Sequence, residues 1–253
     1  MQPYKLVILP YPLMLPEASA EALKSYVRGG GHLVAEARLG WSNESGVASE
    51  RIPGMGLWEV MGCRETDVQT GDGGRTWLRW TDGAWPGMAA GEQLPARWYE
   101  ETLEPLSGPL SGAARVVARF ASDAPAAVAS SYGRGKTLML GSYLSAAYET
   151  APSRETERFY AGLLKWAGVS LPASTGKVEV RTLESGADRL IFVFNHEKAA
   201  AGASVSLRMP AGDYETVDLV EERPVPALRS GELLELKKRI DAGGVWVVRL
   251  RIR

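Results

Sequence analysis

Residues 4–36, YKLVILPYPLMLPEASAEALKSYVRGGGHLVAE, constrain the fold more than any other part of the chain. Lys5 to Leu9 is a short run rich in branched apolar residues, the pattern of a strand covered on both faces. From Glu17 to Arg28, Ala20, Leu23, Tyr26 and Val27 fall on one helical stripe, and Gly29, Gly30 and Gly31 follow as a left-handed stop. Leu33 to Ala37 then resumes as a strand. Strand, helix and strand with short joints demand a parallel pair and a right-handed crossover, so the expected architecture is α/β with a doubly wound sheet.

The rest of the chain must fill a second core. At 253 residues with 45% hydrophobic content, two packed domains are expected. With 29 basic against 30 acidic residues the net charge is −1, which leaves no excess positive field for nucleic acid or anionic lipid. No apolar run approaches the roughly 20 residues that span a bilayer, and MQPYKLVILP has neither the charged region nor the cleavage site of a signal peptide. Cys63 stands alone, so no internal disulfide is expected and the thiol does not report a compartment. A cytoplasmic location is the default.

From Trp41 to Pro109 the pattern loosens into a Gly- and Pro-rich stretch that holds six of the eight tryptophans. Leu57 to Met61 reads as a short helix, and Thr76 to Trp80 alternates like a strand at a sheet edge. Arg115 to Phe120, Ala126 to Tyr132 and Lys136 to Gly141, the last two joined by a turn at Gly133-Arg134-Gly135, read as an antiparallel extension. A helix follows, with Ser153 as N-cap, Glu155 and Glu157 at its positive end, Phe159, Leu163 and Trp166 as its stripe, and Gly168 at its close. PASTG at 172–176 has the composition of a linker. Beyond it the period becomes two, over Val178 to Thr182, Leu190 to Asn195, Ala203 to Leu207, Asp213 to Leu219, Leu233 to Leu236 and Val245 to Ile252, which signals a small antiparallel β-sandwich. The expected domains are therefore 1–172 and 177–253.

These segments together carry a family resemblance. The opening run resembles the start of the trimerisation domain of family 42 β-galactosidases, with a strand ending in Pro, an apolar loop, a helix and a Gly-rich turn. ARFAS and AAVASSYGRGKTLMLGS, within Ala114 to Gly141 and its flank, are similar to the closing strands of that domain, and Val178 to Ile252 resembles the small C-terminal domain of the same enzymes. The resemblance implies an amidotransferase-like, flavodoxin-like fold for the first domain. It also implies an upstream (β/α)-barrel carrying an acid/base Glu and a nucleophile Glu. Such a barrel of about 250 residues does not fit in this chain, so those carboxylates are carried over to no position and no catalytic residue is assigned.

Local chemistry points the same way. A glycosidase needs two facing carboxyl groups across a cleft. Glu36, at the end of the second strand, is the most suggestive acid, set against a structural role capping a loop or pairing with Arg38. Glu100, Glu101 and Glu104 read as a solvated cluster. Cys63 lacks the strand-to-helix elbow of an amidotransferase nucleophile, and His32 and His196 form no pair with it in sequence. Two His and one Cys are too few for a metal site without carboxylates. Gly135-Lys136-Thr137 fails the phosphate-loop pattern because Ser130 stands where Gly is needed and a strand follows. Asn43-Glu44-Ser45 matches a glycosylation acceptor, a pattern that arises by chance without a secretion signal. No cofactor is expected.

Trp41, Trp58, Trp77, Trp80, Trp85 and Trp98 remain, because indole rings stack on sugars, anchor interfaces or fill cores. Trp77 and Trp80 lie three apart and should face opposite sides of a strand. The expected role is assembly, as a homo-oligomer such as a trimer, or with a barrel-bearing chain. A carbohydrate-binding module and an amidotransferase-like enzyme are the rivals.

Overall fold

In a computed structural model the chain forms two units, Met1–Val169 and Ser170–Arg253. The structure describes residues 4–81, 85, 87–106, 112–170, 172–186 and 188–252. The readings that touch residues 1–3, 82–84, 86 and 107–111, which include the first residues of the chain and parts of the tryptophan-rich stretch, lie outside them.

The first unit follows the order β1 (Leu6–Leu9), α1 (Glu17–Arg28), β2 (His32–Ala35), α2 (Leu57–Met61), β3 (Cys63–Trp80), β4 (Gln93–Pro105), β5 (Arg115–Arg119), β6 (Pro125–Tyr132), β7 (Gly135–Leu140), α3 (Leu144–Thr150) and α4 (Arg154–Trp166). β1 and β2 are parallel, with Leu6 opposite His32 and Leu9 opposite Ala35. The stripe expected on α1 is the stripe that is buried: Ala20, Leu23, Tyr26 and Val27. The glycine stop has a steric cause, since a Cβ at Gly31 would fall 2.2 Å from the Tyr26 ring, and Gly30 holds φ +111°.

Seven strands make one mixed sheet in the order β1-β2-β7-β6-β5-β3-β4. β7 pairs in parallel with β2 and antiparallel with β6, so the hairpin at Gly133-Arg134 sits beside the parallel strands. Alternation along the central strands sends side chains to both faces. Leu33, Ala35 and Met139 pack with the α1 and α2 residues Leu23, Val27, Leu57 and Met61, whereas Val34, Leu138 and Leu140 pack with Phe159 and Leu163 of α4. α4 starts as its sequence implies, with the Ser153 side chain accepting from the Thr156 N–H and Glu155 and Glu157 in the first turn.

The doubly wound expectation needs correction in extent. Parallel pairing joins β1, β2 and β7, and the remaining four strands are added antiparallel. The largest departure is the β3–β4 hairpin, whose register slips between Glu65 and Asp67 and again between Thr70 and Arg75. Those slips break the alternation that would have announced an 18-residue strand. Thr76 to Trp80 does alternate between exposed and buried, but β4, not β3, forms the sheet edge.

The second unit contains β8 (Ala173–Thr175), β9 (Glu179–Ser185), β10 (Asp188–Phe194), β11 (Ala201–Arg208), β12 (Tyr214–Asp218), β13 (Arg223–Pro224), β14 (Ala227–Ser230), β15 (Leu233–Ile240) and β16 (Val245–Ile252). They form an antiparallel five-stranded sheet, β13-β12-β16-β10-β9, and a four-stranded one, β14-β15-β11-β8. Inward residues of both, among them Ile191, Val193, Val205, Leu236, Trp246 and Val248, share one core. The segment read as a linker is partly recruited, because β8 pairs with β11.

Candidate functional site

In open α/β sheets ligands gather beyond the carboxyl ends of the parallel strands. In this chain that end is occupied by its own side chains. Glu36, one residue past β2, is 2% exposed and accepts from the Ser145 N–H at 2.7 Å; the Ser145 hydroxyl donates to its other oxygen. The Tyr143 side chain provides no cap for α3, and Glu36 supplies the missing acceptor for the orphan donors of that helix. Burial raises the Glu36 pKa and the hydrogen bonds from Ser145, Tyr11 and Leu144 oppose the rise. The capping role is therefore the one seen. The pairing with Arg38 is not, since Arg38 binds Glu65.

Arg38 holds φ +64°, its N–H donates to Glu101 Oε2 at 2.7 Å, and its guanidinium lies 5.7 Å from the Trp41 ring. Glu101 overturns the expectation of a solvated cluster, being 0% exposed. Glu104 pairs with Arg64, and Glu100 accepts from the Thr76 hydroxyl. Burial first, then the neighbouring Glu65 charge, push the Glu101 pKa well above the usual carboxylate range, with the Arg38 N–H opposing. Burial and the Glu65 charge thus favour the protonated form of Glu101. Its Oε1 meets no hydrogen-bond partner by geometry among the described residues. Sequence reasoning missed this site because the hairpin that buries it was hidden by its bulges.

Cys63 is fully buried, and burial together with Glu101 pushes its thiol well above the ordinary range. A thiolate nucleophile is disfavoured there. His32 stands at the start of β2, the opposite end of that strand from Glu36, edge-on to Trp166 at 4.7 Å; burial and Lys136 lower its pKa. His196 belongs to the second unit, hydrogen-bonded to Glu179. Among the described residues no three His, Cys, Asp or Glu side chains converge as metal ligands. The two buried carboxyl groups, Glu36 and Glu101, both accept from backbone N–H groups, of Ser145 and Arg38 respectively, and so fix the loops that carry those residues.

The six tryptophans separate by environment. Trp80 and Trp85 stack at 5.5 Å against Phe159 and Trp166 and are 0% and 3% exposed, which removes them from the surface candidates. Trp58 is half-buried under Arg51, 4.4 Å away. Trp41, Trp77 and Trp98 are exposed. Trp98 holds φ +73° and packs against Tyr11, itself at φ +49°, and against Tyr143. Three non-glycine residues in left-handed conformation, Tyr11, Arg38 and Trp98, thus surround one end of the sheet, a cost that persists only where surrounding contacts fix it.

The sequence model of the β-galactosidase trimerisation domain matches residues 1–170. The chain belongs to that family. Among solved structures it is similar to the β-galactosidase of Bacillus circulans sp. alkalophilus (21% identity, TM-score 0.74, 98% of this chain and 33% of that one). It is likewise similar to a β-galactosidase from Rahnella sp. R3 (20%, 0.69, 99% and 33%) and to α-L-fucosidase isoenzyme 2 from Paenibacillus thiaminolyticus (11%, 0.66, 99% and 41%). No match is found among curated proteins. This trimerisation-domain chain spans about a third of the length of the β-galactosidases it resembles. No helix among its described residues is long and apolar enough to cross a membrane.

Proposed function

We propose that the chain is the non-catalytic region of a family 42-like, β-galactosidase-like glycoside hydrolase, serving oligomerisation and support of a catalytic barrel that this chain does not contain. The observation that carries this is the pairing of a family match over residues 1–170 with coverage of nearly all of this chain but a third of the enzymes. In this reading 1–172 is the trimerisation-type domain, an amidotransferase-like, flavodoxin-like sheet extended by antiparallel strands, and 177–253 is the sandwich. The buried state of Cys63 and the helix-capping of Glu36 support a non-catalytic role for these two residues. Indifference to nucleic acid accords with the charge balance, and a cytoplasmic setting stands as the default.

Sedimentation equilibrium of the purified chain tests the assembly role. Reversible association with a trimer as the end point is expected, and a monomer at every concentration would remove the reading. The exposed rings of Trp41, Trp77 and Trp98 favour a second reading, a carbohydrate-binding module. A glycan array decides it, since sugar binding that vanishes in Trp77→Ala or Trp98→Ala would put stacking ahead of assembly.

A further inference from the structure

The β3–β4 ladder places unlike chemistry on one exposed face. Trp77 is 52% exposed and stands opposite Pro95, with Arg75 and Arg79 two residues to either side on the same face. Arg75 lies directly opposite Arg97, and Arg79 opposite both Gln93 and Arg119. Arg79 and Arg119 share Asp123, at 3.4 and 3.8 Å. Arg75 and Arg97 have no carboxylate partner among the described residues. Like charges directly across a ladder are destabilising, so this strip carries uncompensated positive charge around an exposed indole, the residue types that anchor interfaces.

The same unit carries an acidic counterpart. A cleft of about 320 Å³ lies between the N-terminus of α1, the loop 43–51 and α2, with Glu17, Glu50 and Trp58 in its lining. Glu44 stands beside it, accepting from the Glu17 N–H at 3.2 Å. Glu17, Glu44 and Glu50 are exposed and none forms an ion pair among the described residues; Arg51 also lines the cleft, 4.4 Å from the Trp58 ring centroid, so three carboxylates against one guanidinium leave it net acidic. The chain as a whole is nearly neutral, so a basic strip on one set of elements and an acidic cleft on another are complementary halves.

We infer that the Arg75–Trp77–Arg97 strip of one copy docks into the Glu17–Glu50 cleft of a second copy. The inference rests on the assembly role proposed above and specifies its geometry. A ring of three identical subunits closes only through two different faces that fit each other, which is a head-to-tail contact. Two unpaired arginines and an exposed indole on one face, and three unpaired carboxylates on the other, meet that requirement.

Charge reversal tests it with the full chain. Arg75→Glu with Arg97→Glu breaks the basic face, and Glu17→Lys with Glu50→Lys breaks the acidic one; circular dichroism confirms the fold of each. Each variant alone should raise the dissociation constant at least about tenfold, the scale of like-charge juxtaposition at an interface. Mixed in equal amounts, the two should regain association, because the intact strip of one variant meets the intact cleft of the other and the two reversed faces are again opposite in charge. Wild-type assembly should also weaken as salt rises from about 0.05 to about 0.5 M, over which screening shortens, a readout that needs no variant. Wild-type chain that assembles while the reversed variants assemble equally well, or independently of salt, would overturn this contact alone. Wild-type chain that stays monomeric would overturn the assembly role with it.

Discussion

Glu101→Gln removes the titration of a fully buried carboxyl group of the first unit. Glutamine copies the shape of the neutral acid and keeps an oxygen for the Arg38 N–H that now bonds Glu101 Oε2 at 2.7 Å. The folded pKa of Glu101 lies well above its unfolded value, chiefly through burial. Its contribution is therefore fully present below the unfolded pKa and declines as pH rises toward the folded value, because the unfolded chain releases a proton that the folded chain keeps. The slope in that window is about 1.4 kcal/mol per pH unit. For a chain of this size each kcal/mol corresponds to roughly 2–4 °C in Tm. Urea unfolding at a series of pH values from about 5 to about 8, followed by tryptophan fluorescence, should give a wild-type curve that falls more steeply with pH than that of the variant by this slope. Parallel curves would refute the upward shift of the Glu101 pKa.

Two further outcomes test the core. Trp80→Ala, which empties the stack on Trp85 and Phe159, should cost about 3–5 kcal/mol, whereas Trp77→Ala on the exposed face should stay within about 0.5 kcal/mol in the monomer; denaturant midpoints compare them, and equal losses would contradict the burial of one and exposure of the other. Cys63 should react with a thiol reagent far more slowly than free cysteine until the chain is unfolded, since it is buried and its thiolate is disfavoured. Rapid reaction of the native chain would reopen the nucleophile reading.

The parts of the fold that could be read in sequence were those where one rule governed a whole segment. The α1 stripe, the Ser153 cap, the short helix at Leu57–Met61 and the period-two strands of the second unit are such segments. The β3–β4 hairpin was not legible, because bulges at Glu65/Asp67 and Thr70/Arg75 interrupt the period that marks a strand. That gap carried over to the site. Without the hairpin, Glu101 looked like one acid in a solvated run, and its burial beside Arg38 and Glu65 comes from tertiary pairing that local pattern does not encode. The separation of Trp77 from Trp80 was legible, since three residues of strand turn a side chain to the other face. Which tryptophan would be covered was not.

The place of β7 bears on how the chain can be made. β2 finds its second neighbour only when Lys136 to Met139 arrive, roughly a hundred residues downstream, a long-range closure of the kind that slows folding. A ribosome that has released everything up to the Gly133 turn holds a half-built ladder with the flank of His32–Ala35 still open. Polypeptides stopped at that stage should stick to one another through this flank, and chaperone dependence during synthesis should end once Leu140 has emerged and zipped into place.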